Sequence, residues 1–290
     1  MSAALERPQL LRPRSVGEAV AELARLGDDG APLAGATWIM RAPLRGEPLQ
    51  SQYVALAGID ELRGSEVGDP TVIGALATHT EIAMLTSGAG PLGALAEAAR
   101  RSAFPAVRNV ATIGGNICAR DFPEADLVPA LLAAEAELEL ASSEGARVLG
   151  LAEYLAAGAA RPRGELVCRV RVPAPAGRRS WYERLTVRAG GEYAVASVAV
   201  SVDVDAGGRA IAARVAVGSV AETPCRSSAA EAVLVGGRLD EASGEEAGRA
   251  AAAEIEGRDG LGAPAEYRLA VLPSLVRRAV ARVSEPEAPA

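Results

Sequence analysis

Apolar positions fall into alternating helical and strand-like stretches. After Ser15, residues Val16, Ala19, Val20, Leu23 and Leu26 share one helical face, and Ser15 with Glu18 reads as the N-cap of a helix Val16–Leu26. Gly27 to Gly30 ends it. Short apolar runs at 31–36 and 53–56 read as strands. Thr71-Val-Ile-Gly-Ala-Leu opens a second unit, with helices expected at 81–86 and 91–101, the latter placing Leu92, Leu95 and Ala99 together. A helix over 126–135 follows, with Pro129 in its first turn, where the ring is tolerated. Residues 137–141 read as a strand and Ser143-Glu-Gly145 as a turn.

Around 173–179, prolines, a glycine and arginines interrupt the pattern and mark a boundary between residues 1–175 and 176–284. The first part divides again into about 1–57 and 58–175. Past the boundary, strands are expected at 180–188, 193–204 and 209–217. Val198, Val200, Val202 and Val204 alternate with small or polar residues, which predicts a strand buried on one face. Asp205-Ala-Gly-Gly208 reads as a hairpin turn. Helices near 226–235, 240–256 and 265–282 follow, the last with Leu269, Leu272, Val276 and Val280 at helical spacing. The tail at 285–290, rich in Pro and Glu, reads as disordered. The fold class is α+β.

With 290 residues and 49% apolar content, the chain can bury a sizeable core. A net charge of −7 disfavours a sequence-independent grip on nucleic acid, and 3% aromatics leave little to stack bases on. Cys118, Cys168 and Cys225 lack metal-ligand spacing, and one histidine, His79, cannot furnish a zinc site of the usual kind. His79 reads as structural. No signal peptide or membrane span is evident, so the cytoplasm is the expected compartment. Missing too are a G-x-G-x-x-G opening a helix, a Walker lysine motif, a G-x-S-x-G elbow and ferredoxin cysteine spacing.

Two glycine segments remain, Leu33-Ala-Gly-Ala-Thr-Trp38 and Thr112-Ile-Gly-Gly-Asn116. Such runs can point several backbone N–H groups into one concavity suited to phosphate oxygens, and glycine permits close approach and positive φ. Thr37 and Thr112 add hydroxyl donors. On composition alone, two ordinary turns are the simpler reading.

Val107-Arg-Asn-Val-Ala-Thr-Ile-Gly-Gly-Asn-Ile117, with Pro123-Glu-Ala-Asp-Leu-Val-Pro-Ala-Leu-Leu132, resembles the signature of the FAD-binding medium subunit of molybdenum hydroxylases. That family includes the flavoproteins of carbon monoxide dehydrogenase and xanthine dehydrogenase. Ala34-Gly-Ala-Thr-Trp38 is similar to its Ala-Gly-Gly-Thr-Asp loop. Trp181-Tyr-Glu-Arg-Leu185 and the stretch from Glu192 to Val202 resemble the start of its C-terminal domain. The resemblance spans almost the whole chain. It implies a two-subdomain FAD-binding domain of the vanillyl-alcohol-oxidase or p-cresol-methylhydroxylase type. A small C-terminal domain of three antiparallel strands and helices would follow.

By the same resemblance, Ala34, Gly35, Ala36, Thr37 and Trp38 would wrap the FAD pyrophosphate from one side. Thr112, Ile113, Gly114, Gly115 and Asn116 would do so from the other. Asp126 would accept hydrogen bonds from the adenosine end, though its position equally suits a helix N-cap. Tyr182, Glu183 and Arg184 stand where the family often has an aromatic and a lysine near the flavin; from the residues alone they read as ordinary strand. Three departures stand out: Ala36 replaces a glycine, Trp38 replaces an acid, and one extra residue lies between Asn116 and Asp126.

The resemblance implies non-covalent FAD and an electron-transfer role, with no catalytic side chain of the chain's own. The partners would be a large molybdopterin-binding subunit and a small [2Fe-2S] subunit, as a heterotrimer or its dimer. Two alternatives stay open: a self-sufficient flavin oxidase, and a flavin-free scaffold derived from the family.

Overall fold

The computed structural model describes residues 8–162, 164–188, 193–260 and 262–285; of the tail expected at 285–290, residues 286–290 lie outside them. A small parallel sheet of order β1-β3-β2 comes first, made of β1 (Gln9–Leu11), β2 (Gly30–Leu33) and β3 (Gln52–Ala55). Between β1 and β2 runs α1 (Val16–Leu26). Ser15 Oγ accepts from the Glu18 N–H, as its cap role requires, while the Glu18 carboxylate accepts from the Arg14 N–H. Helical spacing puts Ala19, Val20, Leu23 and Leu26 on Val54, Leu56, Ile59 and Leu62.

The middle of the chain supplies β4 (Ser65–Glu66), β5 (Thr71–Gly74), β6 (Glu137–Ser142), β7 (Gly145–Gly150) and β8 (Leu166–Val172). They pair antiparallel in the order β4-β5-β8-β6-β7. Five short helices are threaded between β5 and β6: α2 (His79–Ala83), α3 (Gly93–Arg101), α4 (Pro105–Arg108), α5 (Ile113–Cys118) and α6 (Leu127–Ala133). After β7 comes α7 (Leu151–Ala156). The expected helix at 81–86 begins earlier because Thr78 and Glu81 form a reciprocal capping box. The one expected at 126–135 stops at Ala133, since Glu135 takes φ 57 and turns the chain off the helical path.

The last sheet has the order β12-β11-β10-β9, with β9 (Arg179–Leu185), β10 (Ala196–Val204), β11 (Ala210–Gly218) and β12 (Cys225–Arg226). The expected three strands thus gain a two-residue fourth at the edge. The Asp205 turn forms as expected, its carboxylate accepting from the N–H groups of Gly207 and Arg209. Four helices close the chain: α8 (Ser228–Leu234), α9 (Glu241–Glu254), α10 (Ala265–Ala270) and α11 (Leu272–Ser284). The single helix expected at 265–282 breaks at Val271, because Pro273 has no N–H to extend α10.

β10 corrects a further expectation. It is buried on both faces from Ala196 through Val202. Val198, Val200 and Val202 face the core that contains Leu272, Val276 and Val280. Ala199 turns the other way and packs with α6, whose residues Leu127 to Ala133 are all buried. A small or polar residue on the second face therefore marks close packing, not solvent.

Candidate cofactor-binding site

The two glycine segments meet. A Cβ placed on Gly35 would lie 1.7 Å from the carbonyl oxygen of Val110, so only glycine lets the first segment rest on the backbone leading into the second. The next residue, Ala36, has φ 61, the left-handed region. Through this bend the N–H groups of Gly35, Ala36, Thr37 and Trp38 donate to no acceptor among the described residues, and these residues are only partly buried. Free N–H groups on a bend that includes positive φ are the donors from which anion-binding nests are built.

The second segment differs from the open loop expected of it. Thr112 caps α5, its Oγ accepting from the Gly115 N–H at 3.1 Å. The Ile113 N–H bonds to Ala77 O, the Gly114 N–H to Ala75 O and the Asn116 N–H to Thr112 O, each at 2.9 Å. All four donors from Ile113 to Asn116 are therefore used internally. Gly114 owes its identity to Ala75, whose Cβ and carbonyl oxygen would lie 2.9 Å from an added Cβ. Gly115 is exposed and offers a bare backbone surface.

Asp126 stands at the N-cap position of α6 but its side chain makes no capping bond: the Val128 N–H bonds to Ala125 O, and Pro129 has no N–H. The Leu127 N–H, at the first helical position, donates to Asn116 Oδ1 at 3.1 Å. The Asp126 carboxylate turns toward the last sheet, accepting from Tyr182 Oη at 2.6 Å and from Arg184 Nη1 at 3.3 Å. Arg184 also holds the carbonyl oxygen of Arg101. Burial raises the Asp126 carboxyl to about 6, against the lowering influence of Arg184 and Tyr182. Tyr182 and Arg184 are thus more than ordinary strand residues: they tie β9 to the start of α6. Glu183 instead accepts from Trp181 Nε1 and pairs with Arg101.

Several residues at this site carry no recognised motif. Trp38 stacks on Phe122 with centroids 4.2 Å apart, and Phe122 meets Tyr193 edge-on at 5.4 Å. Arg45 lies 3.8 Å over the Trp38 ring, and Arg41 donates to Tyr193 Oη at 2.7 Å. The signals that could have found them are the departures at Trp38 and in the 117–125 stretch, in a chain with only two tryptophans and two phenylalanines. Phe122 and Asn116 also line a cleft of about 470 Å³ that Glu222, Thr223 and Arg258 bound on the far side. His79 is buried, with Nδ1 2.7 Å from Ser102 Oγ. Among the described residues, no group of three or more His, Cys, Asp or Glu side chains is placed to hold a metal, and no helix is long and apolar enough to cross a membrane.

FAD fits these residues at its most charged part. The free N–H run of the first segment suits a pyrophosphate, and the Gly115 backbone leaves room for a ligand to approach.

Comparison with known proteins agrees. Residues 6–175 match the FAD binding domain in molybdopterin dehydrogenase, and residues 181–283 match the CO dehydrogenase flavoprotein C-terminal domain. The carbon monoxide dehydrogenase medium chain of Afipia carboxidovorans is 35% identical over 276 residues, covering 93% of this chain and 94% of its own. The 6-hydroxypseudooxynicotine dehydrogenase complex subunit alpha of Paenarthrobacter nicotinovorans is 31% identical over 278 residues, covering 92% and 91%. Among solved structures, a carbon monoxide dehydrogenase chain from Hydrogenophaga pseudoflava superposes with a TM-score of 0.88 at 33% identity, covering 97% of this chain and 98% of that one. With a family model over more than half its length and such relatives along nearly all of it, the chain belongs to the FAD-binding subunits of the molybdopterin dehydrogenases.

Proposed function

We propose that the chain holds FAD non-covalently and relays electrons from the iron–sulfur clusters of a small [2Fe-2S] partner to an external acceptor. A large molybdopterin-binding partner would oxidise the substrate, the three subunits forming a heterotrimer or its dimer. The observation that carries this reading is the run of free N–H groups from Gly35 to Trp38, backed against Val110. Those groups, with the Thr37 hydroxyl, would hold the pyrophosphate, and Thr112 to Asn116 would form the opposite wall through the exposed Gly115 backbone and the Asn116 amide. Ala34, packed into the small N-terminal core, anchors the start of the bend. Asp126, buried and held by Tyr182 and Arg184, would act by fixing the start of α6, where Ala125 and Val128 line the cleft. Bound flavin supplies the capacity to take up and release one or two electrons; this chain binds, orients and insulates it. We take 1–175 as the cofactor domain and 176–284 as the C-terminal domain. The free thiols of Cys118, Cys168 and Cys225 suit a reducing cytoplasm.

Fluorescence titration of the full chain with FAD, FMN and riboflavin tests the cradle. FAD should bind at least about 100-fold more tightly than riboflavin, since the charged oxygens on the N–H run would contribute most of the discrimination. Equal affinities would remove the pyrophosphate from that run. Dye reduction driven by carbon monoxide, an aldehyde or an N-heterocycle in the purified chain alone would overturn the subunit reading.

A further inference from the structure

Trp38 begins a segment that the core barely holds. Residues Ile39–Arg45 form a 3₁₀ turn interrupted by Pro43, and Ala42 is its only buried residue. Met40 is 58% exposed and Leu44 81% exposed, so neither anchors it. A segment with so few buried contacts opens at low cost. What latches it is a stack drawn from three distant parts of the chain. Arg45 lies on Trp38, Trp38 on Phe122 and Phe122 against Tyr193, while Arg41 closes the row on the Tyr193 hydroxyl. Phe122 belongs to the stretch ahead of α6 and Tyr193 to the approach to β10, so the latch ties the segment after β2 to both. Such ring and cation contacts are individually weak and reversible.

Position makes the latch relevant to the cofactor. The Trp38 N–H is the last of the free run from Gly35, and the Trp38 ring is the first member of the stack. An anion that bonds to that N–H acts on the residue whose side chain holds the latch. Phe122, on which Trp38 rests, also lines the cleft that contains Asn116.

We infer that residues 38–45 are a strap latched by Trp38 on Phe122 and Tyr193, and that it gates entry and exit of FAD. This rests on the FAD reading above. A gate and a wall differ in kinetics: removing a gate speeds passage both ways, whereas removing a wall speeds only departure.

Stopped-flow measurement of flavin fluorescence with the full chain separates them, using wild type, Trp38→Ala, Phe122→Ala and the ring-preserving Trp38→Phe. In both alanine variants, FAD association and dissociation should each accelerate about tenfold or more, with Kd changing less than either rate. Trp38→Phe should stay near wild type. The two alanine changes lie in different segments and remove half-exposed rings, so circular dichroism should show both folded. FAD binding by Trp38→Ala where wild type binds none on the same timescale would also support the gate. Faster dissociation alone, or unchanged rates, would overturn the gate and leave the FAD reading standing. Absence of FAD binding in wild type and every variant would overturn the FAD reading and the gate with it.

Discussion

Ala36 is where a single methyl group weighs on the candidate site. At φ 61 its Cβ crowds the backbone, a cost on the order of 1 kcal/mol that glycine would not bear. The backbone requirement was anticipated from the glycine that relatives of this kind carry, and the structure places Ala36 in that conformation. The ligand-free bend is expected to relax part of the time to relieve this strain, whereas a ligand on the N–H run would hold it in place. Ala36→Gly should therefore tighten FAD several-fold, at roughly tenfold per 1.4 kcal/mol. Stability should barely move, because glycine's greater freedom in the unfolded chain offsets the relief. A titration comparing the two proteins decides it; equal affinities would mean that the bend is already locked without ligand. Gly35 leaves no such latitude, with the Val110 carbonyl where a side chain would begin.

Between elements, His79 is the joint that lets the second segment stay in place. It opens α2, its N–H bonds to Ala111 O just ahead of Thr112, and its ring meets Ser102 at the end of α3. Burial is the main cause that lowers its pKa to about 4, with Arg108 adding to the effect. A histidine with a depressed folded pKa contributes stability above its ordinary pKa near 6.5. That contribution disappears as pH falls toward 4, because the unfolded chain takes the proton first. The loss over that window is on the order of 3 kcal/mol. Denaturant unfolding of wild type and His79→Gln from pH 7 to 4 should show the difference between them shifting in favour of the variant as pH falls. Since His79 is the sole histidine, a parallel pair of curves would show that it titrates normally in the folded protein.

Across the whole molecule, the apolar core of the middle sheet does not stop at the expected boundary. Tyr182, Ala199 and Ala216 from the last sheet are buried in one cluster with Leu127, Leu131 and Leu138. Polar contacts reinforce the join: Ser180 Oγ accepts from the Ala94 N–H at 3.0 Å, the Ser219 N–H bonds to Pro123 O at 2.9 Å, and Arg258 pairs with Glu124. Residues 8–175 alone would expose the apolar face of α6 to water. The full chain should melt as one calorimetric transition, and a chain ending at residue 175 should melt broadly and bind an apolar dye. Two separate transitions in the full chain would show that the join contributes little.

Sequence periodicity was enough to place α1 with its Ser15 cap, the three long strands of the last sheet and the Asp205 turn, because each is specified by neighbours a few residues apart. The motif blocks were enough to identify the family, and the structure rests Gly35 on Val110, just ahead of the Thr112 block. Local pattern was silent wherever the partner is distant. β8 pairs with β5 and β6 from far along the chain, and β10 looked half-buried until α6 covered its second face. Asp126 reads locally as a cap, yet the Val128 N–H bonds to Ala125 O, Pro129 has no N–H to offer, and Tyr182 and Arg184 drew the carboxylate across to the last sheet. Gly114 and Gly115 look alike in sequence, but the first is spent on packing against Ala75 and the second faces outward. The chain's own order of residues determines which groups can donate, accept or bend. Which of them remain unpaired, as at Gly35 to Trp38, depends on acceptors brought in by the fold, and only the tertiary structure decided that.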